Sequence, residues 1–89
     1  MTWRIEYDQN ARKELSSIDK TVQRRIVRYL NENLATSTNP RVMGAALTGP
    51  RFGAYWKYRI GNYRVLCDIQ DETIKILVVK IGNHREVYR

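Results

Sequence analysis

Residues 54–67 read AYWKYRIGNYRVLC, and the Gly61-Asn62 pair near their centre decides how the rest of the chain is organised. Gly and Asn tolerate the positive φ that a two-residue hairpin turn demands, and strand-forming residues stand on both sides of them. Counting outward from the turn pairs Ile60 with Tyr63, Arg59 with Arg64, Tyr58 with Val65, Lys57 with Leu66 and Trp56 with Cys67. Successive side chains point to opposite faces of a sheet. Trp56, Tyr58, Ile60, Tyr63, Val65 and Cys67 therefore share an apolar face that should pack on helices. Lys57, Arg59 and Arg64 share the other.

A second turn at Asp71-Glu72 extends the scheme, pairing Asp68 with Lys75, Cys67 with Ile76, Leu66 with Leu77, Val65 with Val78 and Arg64 with Val79. The cationic face then has an apolar floor of Leu66, Leu77 and Val79, and Val79 and Ile81 belong to the outer side of the last strand. Upstream, Trp3, Ile5 and Tyr7 alternate with Thr2, Arg4 and Glu6, which predicts a strand over about residues 2–7. Asp8 stands where a helix N-cap belongs, followed by Ala11, Leu15 and Ile18 on one face. Asp19 offers a second cap, and Val22, Ile26, Leu30 and Leu34, beside Val27, predict an amphipathic helix from about Lys20 to Ala35. Arg24, Arg25 and Arg28 lie off its apolar stripe, as the charges of a solvated face do. Residues 36–53 turn polar and rich in turn formers, with Val42 and Leu47 as the expected anchors of an ordered connection.

With 89 residues the chain suits one domain, 1–89, and 43% apolar residues suffice for a small core. The formal charge of +7 would concentrate polyanions such as RNA, DNA or acidic protein segments. Cys67 is the only cysteine and His84 the only histidine, which excludes an internal disulfide and the usual zinc spacings. No metal and no cofactor is expected. No stretch approaches the ~20 apolar residues of a membrane span, so a cytoplasmic protein without membrane contact is the expectation.

Arg59 opposite Arg64 is unfavourable by an amount comparable to the ~0.2–1 kcal/mol that a good cross-strand pair contributes. An anion would resolve that conflict, because arginine forks match phosphate oxygens and Lys57 adds a point charge two residues along. The terminal GNHREVYR brings His84, Arg85, Tyr88 and Arg89 just past the last strand, towards the same patch. Cleavage of RNA by its own ribose 2′-hydroxyl requires proton transfer at that hydroxyl, cations for the phosphorane charge and an acid for the departing 5′-oxygen. Those residue types are all present here. Tyr88 and Tyr55 suit stacking on a splayed base, whereas Trp56 and Tyr58 have core parity. Paired carboxylates, a Ser-His-Asp order and a GK[ST] loop are lacking in this region, which removes glycosidase, serine hydrolase and nucleoside-triphosphatase readings.

Taken in order, WRIEYD, the helical hairpin, NPRVMGAALTGP, WKYRIGNYRVLCDI and ILVVKIGNHREVYR resemble the RelE/ParE superfamily of toxin–antitoxin toxins over nearly the whole chain. The resemblance implies an α+β fold, a small curved antiparallel sheet with an N-terminal strand and a helical hairpin on one face. It also implies a RelE-type activity, ribosome-dependent cleavage of mRNA in the A site, with a ParE-type inhibitor of DNA gyrase as the alternative. A plain RNA-binding module is a third reading. Lys57 and Arg59 match the paired basic residues of the first hairpin strand, Arg64 the arginine of the YR step, and Tyr88 the tyrosine of the terminal EVY. Lys57 or Tyr88 would assist deprotonation, Arg59 and Arg64 would hold the phosphate charge, and His84 or Arg85 would be the acid. Tyr55, Arg85 and Arg89 would bind substrate. Ala45 stands where many relatives carry a lysine, which removes one cation from the expected RNA surface. The implied partners are a RelB-like antitoxin, the ribosome with its mRNA, and operator DNA only through the antitoxin complex.

Overall fold

The computed structural model of the chain describes residues 2–85, 87 and 88. Strand β1 (Arg4–Tyr7) leads into helix α1 (Gln9–Ser16) and helix α2 (Lys20–Arg28), which continues as a π-helical segment over Tyr29–Leu34. A 3-10 turn (Pro40–Met43), the strand β2 (Ala45–Ala46) and the short helix α3 (Gly49–Phe52) follow. Strands β3 (Trp56–Ile60), β4 (Tyr63–Gln70) and β5 (Lys75–Asn83) complete the fold. The strands form one sheet in the order β1-β5-β4-β3-β2. The α+β class is as expected, but the sheet is mixed, because β1 runs parallel to β5 while every other pair is antiparallel. Parallel neighbours need a long connection, and here three α-helices and three strands lie between them.

Both expected caps are present. An Asp8 carboxylate oxygen accepts from the Ala11 N–H at 2.8 Å and Asp19 from the Thr21 N–H at 3.0 Å. Ile26, Leu30 and Leu34 are fully buried against Tyr58, Val65, Cys67, Ile76 and Val78. The helix predicted to reach Ala35 has that extent, but its last turns widen, with the Ala35 N–H bonded to the Leu30 carbonyl at 2.9 Å.

The β3–β4 register is the one counted from Gly61-Asn62. Gly61 has φ of 59°, and no non-glycine at the turn has positive φ, the requirement of a type II′ turn. The second turn differs. It spans residues 71–74 rather than two, with Ile74 at φ of 50°, so Gln70 pairs with Lys75 and Cys67 with Val78. That slip is two residues, which preserves each side chain's face. A bulge at Val79 then changes parity, pairing Leu66 with Lys80, Val65 with Ile81, Arg64 with Gly82 and Tyr63 with Asn83. Ile81, expected on the outer side, is consequently in the core at 2% exposure.

Helix α1 secures this bulge. Beyond Tyr7, β1 no longer pairs with β5, and side chains one helical turn apart take over: Asn10 Nδ2 donates to the Val79 carbonyl at 3.2 Å, and Glu14 Oε1 accepts from the Ile81 N–H at 2.8 Å. In the connection, Val42 is 77% exposed and is no anchor. Pro40 is, fully buried with its carbonyl accepting from the Tyr58 hydroxyl at 2.7 Å. Leu47 is half-buried.

Candidate functional site

The outer face of the sheet carries two rows across β3, β4 and β5: Lys57, Leu66, Lys80 and, one step towards the hairpin tip, Arg59, Arg64, Gly82. Arg59 is exposed and Arg64 half-buried, and directly opposed residues stand only about 4.5–5.5 Å apart at Cα. The Arg64 guanidinium turns back over the tip, with Nη1 donating to the Tyr63 carbonyl at 3.1 Å and, weakly, to the Gly61 carbonyl at 3.4 Å. That leaves most of its five N–H donors directed elsewhere.

The end of β5 completes the arrangement. Asn62, Arg64, Asn83, His84 and Arg85 line one surface hollow of about 330 Å³. The Asn83 side-chain oxygen accepts from the Arg85 N–H at 3.0 Å, and the Val87 N–H bonds to the Asn83 carbonyl at 3.0 Å, so the chain turns back just after the strand. Val87 is fully buried. Leu66 is fully buried too, although it lies on the outer face, apart from the helix-packed cluster. Tyr88 meets Phe52 of α3 edge-on at 6.0 Å between ring centroids and His84 at 6.1 Å. The tail thus folds across the outer face, from the hairpin tip back towards the start of β3.

Of the residues singled out from the sequence, Arg64, His84 and Arg85 meet in the hollow, Arg59 stands opposite Arg64, and Tyr88 touches His84. Lys57 lies on the same face in the neighbouring row, paired with Ala45 of β2. Tyr55 is further off, before β3, and its carbonyl accepts from the Leu47 N–H at 3.1 Å. Arg89, with Glu86 of the terminal motif, lies outside the described residues. Two neighbours escaped the sequence reading. Lys80 joins Lys57's row only because of the Val79 bulge, and its Nζ reaches to 4.0 Å from Glu14 Oε2. Phe52 stands on a helix of four residues, too short for any periodicity. It is the only phenylalanine, flanked by turn formers, and that oddity was the available signal.

The face has no activated thiol, since burial pushes the Cys67 thiol well above its ordinary range. Among the described residues no group of three or more His, Cys, Asp and Glu could hold a metal ion. Nor is any helix there long and apolar enough to cross a membrane. What the face offers is guanidinium forks, two lysines, an imidazole and a phenol, groups whose chemistry suits phosphate binding and proton transfer.

A protein-family model described as "ParE toxin of type II toxin-antitoxin system, parDE" matches residues 5–88. The chain belongs to this family, and with it to the RelE/ParE superfamily of type II toxin–antitoxin toxins. It is 27% identical, over 82 residues, to an Escherichia coli protein named for its own likeness to RelE toxins, covering 92% of this chain and 83% of that one. The toxin in the RelBE2 toxin–antitoxin complex of Mycobacterium tuberculosis shares the fold with a TM-score of 0.84 at 19% identity, over 97% of this chain and 95% of that chain. A double arginine-to-alanine variant of the E. coli toxin RelE, in the free state, superposes with a TM-score of 0.77 at 26% identity, over 99% and 92% of the two chains.

Proposed function

We propose that this chain is a ribosome-dependent endoribonuclease that cuts mRNA in the A site. Its carrying observation is the hollow in which Arg64, His84 and Arg85 converge beside Tyr88 and Arg59. In the proposed reaction Lys57 or Tyr88 assists removal of the proton from a ribose 2′-hydroxyl. The 2′-oxygen attacks the adjacent phosphorus, Arg59 and Arg64 stabilise the phosphorane oxygens, and the P–O5′ bond breaks. His84 or Arg85 gives the 5′-oxygen its proton, leaving a 2′,3′-cyclic phosphate and a 5′-hydroxyl. No metal or cofactor takes part. Tyr55, Arg85 and Arg89 bind the flanking nucleotides. The partners are the ribosome with its mRNA and, by analogy with relatives solved with RelB, an antitoxin whose acidic segments neutralise the basic face. Operator DNA is reached only through that complex, and the protein works in the cytoplasm.

The description of the matching family model favours a second reading, a ParE-type toxin that inhibits DNA gyrase without cleaving anything. End mapping separates the two. Purified protein is added to a translation extract, and message ends are compared with supercoiling by gyrase incubated with the same protein. New ends phased to the A site are expected. Intact messages with arrested supercoiling would replace the nuclease with the inhibitor.

A further inference from the structure

The tail that carries His84 and Tyr88 needs something to hold its last ring in place, because it extends past the final strand. Tyr88 has two described ring contacts. One is with His84, four residues earlier in the same tail, and so can move with it. The other is with Phe52, whose ring lies edge-on at 6.0 Å and belongs to a different part of the chain. The turn that carries Phe52 is closed locally. Gly49 enters α3 at φ of 92°, a conformation that side chains rarely adopt, and the Gly53 N–H closes the turn on the Gly49 carbonyl at 2.9 Å. The Arg51 guanidinium lies 4.9 Å from the centroid of the Phe52 ring. Phe52 is half-buried beside a tail whose Val87 is fully buried. Rings in such pairs prefer edge-to-face geometry at centroid separations of about 4.5–7 Å, so the contact specifies an orientation as well as a place.

We propose that Phe52 is a positioning residue: held by α3, its ring orients Tyr88, and Tyr88 in turn orients His84 on the cationic face. α3 is then a brace for the tail rather than part of a passive connection. This rests on the nuclease reading for its consequence in catalysis, but the ring-to-ring coupling stands apart from it and is tested separately.

His84 is the only histidine, so its imidazole protons give isolated NMR signals. Phe52→Leu, which keeps an apolar side chain and removes the ring, is expected to shift those signals in the same direction as Tyr88→Leu. The double variant should add little to Tyr88→Leu alone. Phe52→Tyr, which keeps the ring, should leave them near the wild-type positions. In the translation extract Phe52→Leu should lower kcat roughly three- to tenfold, with KM little changed and Phe52→Tyr restoring the rate. Unmoved His84 signals in a folded Phe52→Leu protein would overturn the coupling whether or not the wild type cleaves RNA. Shifted signals with an unchanged kcat would overturn the positioning role. A wild type that cuts no message defeats the nuclease reading, and the NMR comparison still decides the brace.

Discussion

Successive residues of β3 and β4 face opposite ways, and the two faces are held by different means. On the helix-covered side Tyr58, Val65 and Cys67 are fully buried against Ile26, Leu30 and Leu34, so burial of apolar surface is what stabilises it. On the other side Leu66 and Gly82 are buried, while Lys57, Arg59 and Arg64 remain at least partly accessible with two arginines directly opposed. A sheet needs the first arrangement to fold and gains nothing from the second. Adjacent residues in one strand thus belong to separate tasks, and substitutions should separate them.

The largest effect on stability is expected on the covered face. Leu30→Ala removes a fully buried side chain between helix and sheet, and should cost about 2–5 kcal/mol in urea unfolding. On the outer face, Arg64→Ala should cost little stability, because its two hydrogen bonds are with carbonyls at the half-buried hairpin tip and its removal relieves the opposed Arg59 charge. Cleavage in the translation extract should instead fall about 10²–10³-fold, the usual cost of removing a donor that stabilises developing charge. Full cleavage by Arg64→Ala would remove it from the site. Unfolding of that variant would erase the division between the faces.

A middle-sized effect belongs to Glu14, which acts where the faces meet. Glu14→Ala leaves the Ile81 N–H without its acceptor next to the Val79 bulge, at a cost of about 1–3 kcal/mol. Glu14→Gln keeps an acceptor oxygen and should retain most of that stability. Amide exchange at Ile81 should quicken in the alanine variant and much less in the glutamine variant. Equal losses in both would assign the effect to the Lys80 charge pair instead.

The division between faces was legible in the sequence wherever one local rule fixed it. Gly61-Asn62 sets both the turn and the register, so the parity of Lys57, Arg59 and Arg64 followed by counting. Asp8 and Asp19 were readable because a cap is a property of a few adjacent residues. The course of β5 was not readable. Its register depends on a four-residue turn and on a bulge whose backbone groups are satisfied by Asn10 and Glu14, nearly the whole chain away. Hence counting along the sequence puts Ile81 on the wrong face and leaves Lys80 out of the outer row. β1 alternates convincingly, yet alternation says nothing about which strand it joins or in which direction. Phe52 is illegible for the opposite reason: four helical residues hold too little pattern, and its ring contact depends on where the tail lands.

The smallest effect is expected at the end of the sheet carrying the β4–β5 turn. Arg41 Nη1 and Nη2 donate to the two carboxylate oxygens of Asp71 at 2.9 and 2.6 Å, tying the 3-10 turn at Pro40–Met43 to the β4–β5 turn, with Arg41 also 5.8 Å from the Trp56 ring centroid. That hydrogen bonding holds the Asp71 carboxyl below the usual carboxylate range. A carboxylate depressed in the folded state contributes stability above its unfolded pKa and loses it as pH falls through the folded one. The window therefore opens near pH 4 and extends below it, given an ordinary aspartate value of about 3.9. Wild type should melt slightly above Asp71→Asn at pH 6, and the gap should close between about pH 4 and pH 2 as the wild-type carboxylate is protonated. Both groups are exposed, so solvent and salt screen the pair, and added salt should narrow the gap at pH 6. A gap of constant size across that range would show that Asp71 acts through the shape of the turn and not through its charge. At any one pH, Asp71→Asn should leave the His84 signals where they are in the wild type, because the clasp holds the connection to the sheet and has no part in the Phe52–Tyr88–His84 ring contacts.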